Sequence, residues 1–189
     1  MNIEVEIKVR IDNLAEMREK VEKIGKLVKS IRQVDEYYAP VHRDFYNAKP
    51  HPFEFLRIRT NPDKVMLEYC KSVNKRDDGD YDYAEEYETE IKDPEEMRQI
   101  LERLDFKKAL VIDKHREYWL CGDIEIALDE IKDLGSFVEA EAKGDFTDFR
   151  EAKNACFAML KNLSIADPEK SEVKRSYPEL YMEGLDTKL

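Results

Sequence analysis

From Ile3 to Ile11 the chain alternates without a break: Ile3, Val5, Ile7, Val9 and Ile11 are apolar, and Glu4, Glu6, Lys8 and Arg10 between them are charged. A period of two places successive side chains on opposite faces of a β-strand, so this segment has one apolar face and one ionic face. For one such strand alone, a solvated outer face is explanation enough. The pattern recurs, however. Arg57 and Arg59 share a face in FLRIRT, Lys114 and Arg116 in DKHREYW, Glu86, Glu88 and Glu90 in EEYETEI, and Glu139 and Glu141 in SFVEAEAK. Lys71 shares a face with Tyr69 in LEYCKS, and Asp129 with Ala127 and Glu125.

Three arrangements would account for ionic faces in strand after strand. Solvated cross-strand pairs are worth only about 0.2–1 kcal/mol each, and should leave Ser, Thr and Gln scattered among the charges, which the strand centres nearly lack. A dry core would cost several kcal/mol for each unpaired ion. A wet, charge-lined tunnel avoids both objections: antiparallel strands curl into a barrel, helices cover the apolar outer face, and the ionic faces line the channel.

The remaining elements fit this α+β plan. Asn13 caps a helix with Glu16 at its third position and a stripe of Leu14, Met17, Val21 and Ile24, which Gly25 ends. Asp93 and Pro94 start a second helix, and Thr147 a third that carries Ala152, Cys156, Leu160 and Leu163 as core residues. With the first strand, segments near 33–39, 54–60, 65–72, 84–92, 109–120, 123–130 and 136–143 make eight strands. Segments 40–53 and 74–83 read as surface loops. The strand-helix units at Glu4 to Arg18 have weak echoes, at Asp93 to Arg98 and Glu139 to Lys143, which an old duplication or the shared demands of amphipathic units would equally produce.

At 189 residues the chain suits a single domain, with a core over about 1–165 and a tail over 166–189, or a compact pair of subdomains. Acids exceed bases 43 to 32, and a formal charge of −11 disfavours nucleic acid and anionic membrane as partners. Isolated Cys70, Cys121 and Cys156, with neither a signal peptide nor a long apolar run, point to the cytoplasm.

The lining defines the guest. Lys8, Arg57, Arg59, Lys71, Lys114 and Arg116 form a set of cations suited to phosphate oxygens, while Glu4, Glu6, Glu88, Glu139 and Glu141 are hard oxygen donors suited to Mg²⁺ or Mn²⁺. A metal-bridged polyphosphate satisfies both sets.

The order of these blocks resembles the CYTH superfamily, the triphosphate tunnel metalloenzymes. EVEIK matches its ExExK signature, and QVDEYY, FLRIR, LEYCKS, EEYETEI, DKHR and LDEIKDLGSFVEAEA follow in the expected order, from residue 3 to about 143. The resemblance implies an eight-stranded triphosphate tunnel flanked by helices. It implies metal held by Glu4, Glu6, Glu139 and Glu141, with Glu88 from the acidic middle strand, and triphosphate held by Lys8 and the middle-strand bases. Asp129 matches a family acid before the Leu-Gly turn and joins Lys8, Lys114 and Arg116 as a catalytic residue. Relatives often carry an arginine before the middle acids, where this chain has Ala84 and Glu85.

The implied chemistry is metal-dependent attack on a triphosphate. The blocks look most like the class IV adenylyl cyclase branch, which converts ATP to cyclic AMP and pyrophosphate. Hydrolysis of tripolyphosphate or thiamine triphosphate is the alternative, and a non-catalytic polyphosphate or nucleotide binding module a further one. Trp119 has outward parity, leaving Tyr37, Tyr69 and Tyr118 for stacking. A homodimer through an outer sheet face is compatible with the pattern.

Overall fold

The computed structural model describes residues 2–43, 45, 54–74 and 83–186, without the side chains of 2–4, 185 and 186. The strands are β1 (Asn2–Glu4), β2 (Glu6–Ile11), β3 (Lys26–Pro40), β4 (Glu54–Thr60), β5 (Val65–Val73), β6 (Tyr83–Glu90), β7 (Phe106–Cys121), β8 (Ile124–Ile131) and β9 (Gly135–Ala142). The helices are α1 (Leu14–Glu22), α2 (Pro94–Arg103), α3 (Phe149–Asn162), α4 (Pro168–Ser171) and α5 (Tyr177–Asp186). The result is an antiparallel α+β fold whose single sheet runs β1-β6-β5-β4-β3-β7-β8-β9-β2.

Nine strands replace the expected eight because the opening segment is interrupted at Val5, whose carbonyl accepts from Ala142 N at 3.0 Å. Its two pieces take different neighbours and stand at the two ends of the sheet order. Strands β3 and β7 start earlier than the sequence suggests. The β3 extension is tied to β7 by side chains, with Ser30 Oγ 3.1 Å from His115 Nε2, and the Arg32 guanidinium forked onto Asp113 at 2.8 and 2.6 Å. Of the expected loops 40–53 and 74–83, residues 44, 46–53 and 75–82, with His51, lie outside the described residues, while Pro40 ends β3 and Tyr83 begins β6.

The chain divides into two compact units, one of Met1–Ile3, Arg32–Asp113 and Arg175–Leu189, the other of Glu4–Ile31 and Lys114–Lys174. In the second unit, every odd residue of β2 and every even residue of β8 and β9 that is apolar faces helices. Ile7, Val9, Ile124, Ile126, Leu128, Val138 and Ala140 form a core with Met17 and Val21 of α1 and Cys156 and Leu160 of α3. Burying a side chain such as Leu128 contributes about 1.5–3 kcal/mol. Trp119 belongs to this core, on the helix side as its parity implies, and its indole N–H donates to Glu117 at 3.2 Å.

Local chemistry sets the helix ends. The Asn13 side chain accepts from Glu16 N at 3.1 Å, and Gly25 closes α1 because a Cβ there would run into Cys121 Sγ. Thr147 does not cap α3; Asp148 does, accepting from Arg150 N and Glu151 N at 2.8 and 2.9 Å. Thr147 sits one residue earlier, where its N–H donates to Glu151 at 2.7 Å in a reciprocal box.

In the first unit, Asp93 caps α2 at 3.0 Å from both Glu95 N and Glu96 N. Arg98 of α2 clasps Glu36 of β3 at 2.6 Å, and Lys108 joins the pair. Burial opposes ionisation of Glu36, but these two cations prevail and bring its pKa down to about 2.

The tail holds two helices, α4 and α5, that the sequence reading left unassigned. Glu172 makes an isolated antiparallel bridge to Val9, with Val173 N donating to Lys8 O at 2.7 Å, so the tail touches β2 through a single bridge. Lys153 of α3 pairs with Glu172 at 3.4 Å, Arg175 pairs with Glu183, and Tyr177 is buried. No helix among the described residues is long and apolar enough to cross a membrane.

Candidate functional site

The second unit gathers an ionic cluster on the face opposite its apolar core. Register puts Lys8 of β2 across from Glu139 of β9, and Arg116 of β7 across from Asp129 of β8. Lys8 Nζ lies 3.8 Å from Glu139. The Arg116 Nε donates to Asp129 at 2.6 Å, while its Nη2 reaches both the other Asp129 oxygen and Glu139. Its guanidinium stands 5.6 Å from the Tyr118 ring centre, the two-residue step along β7 keeping both on one face.

These groups are deeply buried: Asp129 is 0% exposed, Lys114 3%, Glu139 5% and Lys8 7%. Charged groups survive there only with partners. Burial alone would raise the Glu139 carboxyl, but Arg116, Lys8 and Lys114 hold it below the usual range. Burial would also make Arg116 easier to deprotonate; Asp129 and Glu139 reverse this and push its pKa well up.

Glu6 is the exception. Glu139, as a like charge, and then burial push its pKa up to about 7, against the pull of Lys8 and Arg116. Glu6 stands opposite Glu141 in register, and burial raises Glu141 as well, despite Lys143 at 2.5 Å. Glu6 and Glu139 therefore meet as like charges whose repulsion the neighbouring cations do not fully offset.

That repulsion between carboxylates is the test for a divalent metal. Mg²⁺ and Mn²⁺ favour carboxylate oxygens, and Mg²⁺ is commonly held by one or two carboxylates with waters and substrate phosphates completing the shell. Glu6 and Glu139, with Glu141 beside them in sequence, fit that demand. They do not form a ready cage, since no group of three or more such side chains is arranged to hold a metal among the described residues. Glu4 was expected to join them, but its side chain lies outside the described residues.

The first unit holds a second cluster. Arg59 forks onto Asp35 at 2.8 and 3.0 Å and lies 3.2 Å from Glu68. Arg57 donates to Glu68 at 2.6 Å and to the Tyr37 hydroxyl at 3.3 Å. Asp35 is 1% and Glu68 4% exposed, and Tyr37, driven chiefly by burial, has its pKa pushed up to about 12. Despite burial, Tyr37 with Glu68 and Asp35 keeps the Arg57 guanidinium pKa above the ordinary one, and Asp35 with Glu68 does the same for Arg59.

The structure separates one expected residue from this cluster. Register pairs Arg57 with Glu68 and Lys71 with Glu54 and Glu85, so Lys71 lies on the opposite sheet face, exposed, with Tyr69 and Glu54. Tyr69 donates to Glu54 at 2.7 Å there and is not on the face of Arg57. Alternation within LEYCKS correctly joins Lys71 to Tyr69, but only pairing with β4 decides which face that is. Glu68, the residue between, takes the place beside the arginines. Glu88 stands opposite Glu68 in register and is exposed, in the first unit, whereas Glu6 and Glu139 belong to the second.

Asp35 and Glu68 were missed as site residues. Asp35 has the parity of Tyr37 in QVDEYY, a signal that was present; Glu68 could be found only from cross-strand pairing.

Residues 2–177 match the family model described as the CYTH domain. A protein of Methanocaldococcus jannaschii, provisionally named an adenylate cyclase, is 34% identical over 184 residues, covering 94% of this chain and 98% of its own. A solved Pyrococcus horikoshii structure is 31% identical at a TM-score of 0.79, covering 96% of this chain and 99% of that one. A Hippeastrum structure, provisionally named an adenylyl cyclase and described as revealing a dominant triphosphatase activity, aligns at 16% identity. Its TM-score of 0.67 over 97% of this chain and 96% of that one shows a shared fold.

Proposed function

Because the chain belongs to the CYTH domain family, we propose that it is a divalent-metal-dependent enzyme acting on a triphosphate, by class IV adenylyl cyclase-like conversion of ATP to cyclic AMP and pyrophosphate. Proteins of this family are adenylyl cyclase-like or triphosphatase enzymes that bind triphosphates and generally depend on a divalent metal. The cyclase reading is placed first because the 34% identical relative carries that name.

The observation that carries the reading is the buried cluster in which Lys8 faces Glu139 across β2 and β9 and Arg116 bridges Asp129 and Glu139, with Glu6 two residues before Lys8 on the same strand face. Such a cluster offers cations for phosphate oxygens and two carboxylates, Glu6 and Glu139, whose mutual repulsion the neighbouring cations do not fully offset. Glu6 and Glu139, with Glu141 and Glu4, would hold Mg²⁺ or Mn²⁺. When bound, the ion would supply positive charge against the triphosphate and polarise its oxygens.

Lys8, Lys114 and Arg116 bind phosphate oxygens and stabilise charge that grows on them during displacement. Asp129 and Glu139 hold Arg116 in a fixed orientation, so it need not reorganise as that charge develops. Within the first unit, Arg57 and Arg59, fixed by Asp35 and Glu68, are hydrogen-bond donors suited to phosphate oxygens. In the cyclase reaction the ribose 3′-hydroxyl attacks the α-phosphorus, the bond to the bridging oxygen breaks, pyrophosphate leaves and a proton is released. In hydrolysis, water attacks the terminal phosphorus instead, its bond to the bridging oxygen breaks, the diphosphate part of the substrate leaves, and orthophosphate and a proton are the other products.

The test is incubation with Mg²⁺ or Mn²⁺ and, separately, ATP, tripolyphosphate and thiamine triphosphate, with products resolved by ³¹P NMR. Cyclic AMP with pyrophosphate is the expected result. Orthophosphate without cyclic AMP would make the chain a triphosphatase, and no turnover of any substrate would make it a binding module.

A further inference from the structure

Gln33 of β3 is 2% exposed, and its side-chain oxygen is a buried acceptor with no hydrogen-bond partner among the described residues. Buried polar groups in native folds are nearly always paired, so an orphan calls for an explanation. Its place supplies one. The two-residue step along β3 sets Gln33 on the face of Asp35 and Tyr37, which stand opposite Arg59 and Arg57 of β4. All five residues belong to one unit.

The two arginines aim their N–H groups at Asp35, Glu68 and the Tyr37 hydroxyl. None of these contacts goes to Gln33. With the carboxylates and the Tyr37 hydroxyl taken up by the arginines, the face presents two kinds of group to a ligand: guanidinium donors, which suit phosphate oxygens, and the unpartnered Gln33 oxygen, which can only accept. Fully ionised tripolyphosphate offers acceptors alone and leaves that oxygen unpaired. A nucleoside triphosphate offers both, because its sugar carries O–H donors and its base N–H donors.

We propose that Gln33 accepts a hydrogen bond from the sugar or base of a nucleoside triphosphate whose phosphates meet Arg57 and Arg59, which makes it a specificity residue for nucleotide over inorganic polyphosphate. This rests on the reading of those arginines as triphosphate ligands. The physical logic is that of a site built to pair with a substrate donor: an analogue lacking the donor leaves the buried acceptor unpaired and is rejected.

The test is calorimetric titration of wild-type protein and Gln33→Met with ATP and with fully ionised tripolyphosphate, using Ca²⁺ to slow turnover, together with thermal melts of both ligand-free proteins. Gln33→Met should bind ATP about tenfold more weakly and tripolyphosphate as before, the size expected for one lost hydrogen bond. Its ligand-free melting temperature should not fall, because a methionine of similar length removes an acceptor that had no partner. Either 2′-deoxy-ATP or inosine triphosphate should lose affinity with the wild type but not with the variant, which would name the donor. Equal weakening of ATP and tripolyphosphate, no change for either, or a ligand-free melt lowered by several degrees would each overturn the proposal. Wild-type protein that binds neither ligand would overturn the triphosphate reading beneath it, an outcome distinct from the others.

Discussion

The two ionic clusters use the same residue types to opposite ends. In the first unit, Arg57 and Arg59 face Asp35 and Glu68, and every charge has an opposite within 4.0 Å. In the second, Arg116 is shared by Asp129 and Glu139, and what remains is a clash between Glu6 and Glu139. A balanced cluster holds its cations in place; an unbalanced one has a standing attraction for another cation. Alternating strands build both, and the difference lies in a repulsion between two carboxylates, Glu6 and Glu139, that the local cations do not offset.

The largest effect that separates the clusters should come from Arg116→Met. It leaves Asp129 and Glu139 buried beside each other, a loss of about 3–5 kcal/mol, with turnover down about 100-fold or more. Arg59→Met should destabilise less in thermal melts, because Arg57 remains 2.6 Å from Glu68 and 4.0 Å from Asp35. Equal losses would mean that the balance of the first cluster confers no redundancy.

A smaller effect tests the repulsion between Glu6 and Glu139. A carboxyl with a raised folded pKa makes the folded chain hold the extra proton between its unfolded value of 4.5 and about 7, so stability falls as pH rises through that window. Ligand-free protein should melt lower above pH 7 than below it, Mg²⁺ should recover the loss, and Glu6→Gln should abolish both the slope and the Mg²⁺ response. A Mg²⁺ shift that survives in Glu6→Gln would place the metal elsewhere.

The smallest effect concerns Glu36, on the helix side of the first unit. Its folded pKa of about 2, below the unfolded 4.5, gives stability that is present above pH 4.5 and lost as pH falls through about 2. Glu36→Gln should melt below wild type at neutral pH, with the gap closing toward pH 2. Because Glu36 belongs to neither cluster, ligand affinity should stay unchanged.

Much of this was legible in the chain. Alternation in EVEIK and SFVEAEA gave the ionic and apolar faces of β2 and β9 correctly, and Asn13 and Asp93 cap α1 and α2 through their own side chains. What failed was information that strands carry only jointly. Lys71 went to the wrong companions because parity sorts residues within a strand while register sorts strands against each other, and a shift of one residue exchanges the faces. The break at Val5 has no local signal, since the alternation runs through it; it reflects two different neighbours in the sheet. Asp35 and Glu68 acquire their role only from the arginines that pairing brings opposite them.

The central claim is that the cations buried on the ionic strand faces, and not those exposed on the other face, bind the triphosphate. Calorimetric titration of Mg²⁺ tripolyphosphate into wild type, Arg59→Met and Lys71→Met tests it most directly, with a melt of each variant to confirm folding. The account predicts affinity at least tenfold lower for Arg59→Met, the loss of one charged hydrogen-bond donor, and within about twofold of wild type for Lys71→Met. Equal loss in both, or loss in Lys71→Met alone, would contradict it.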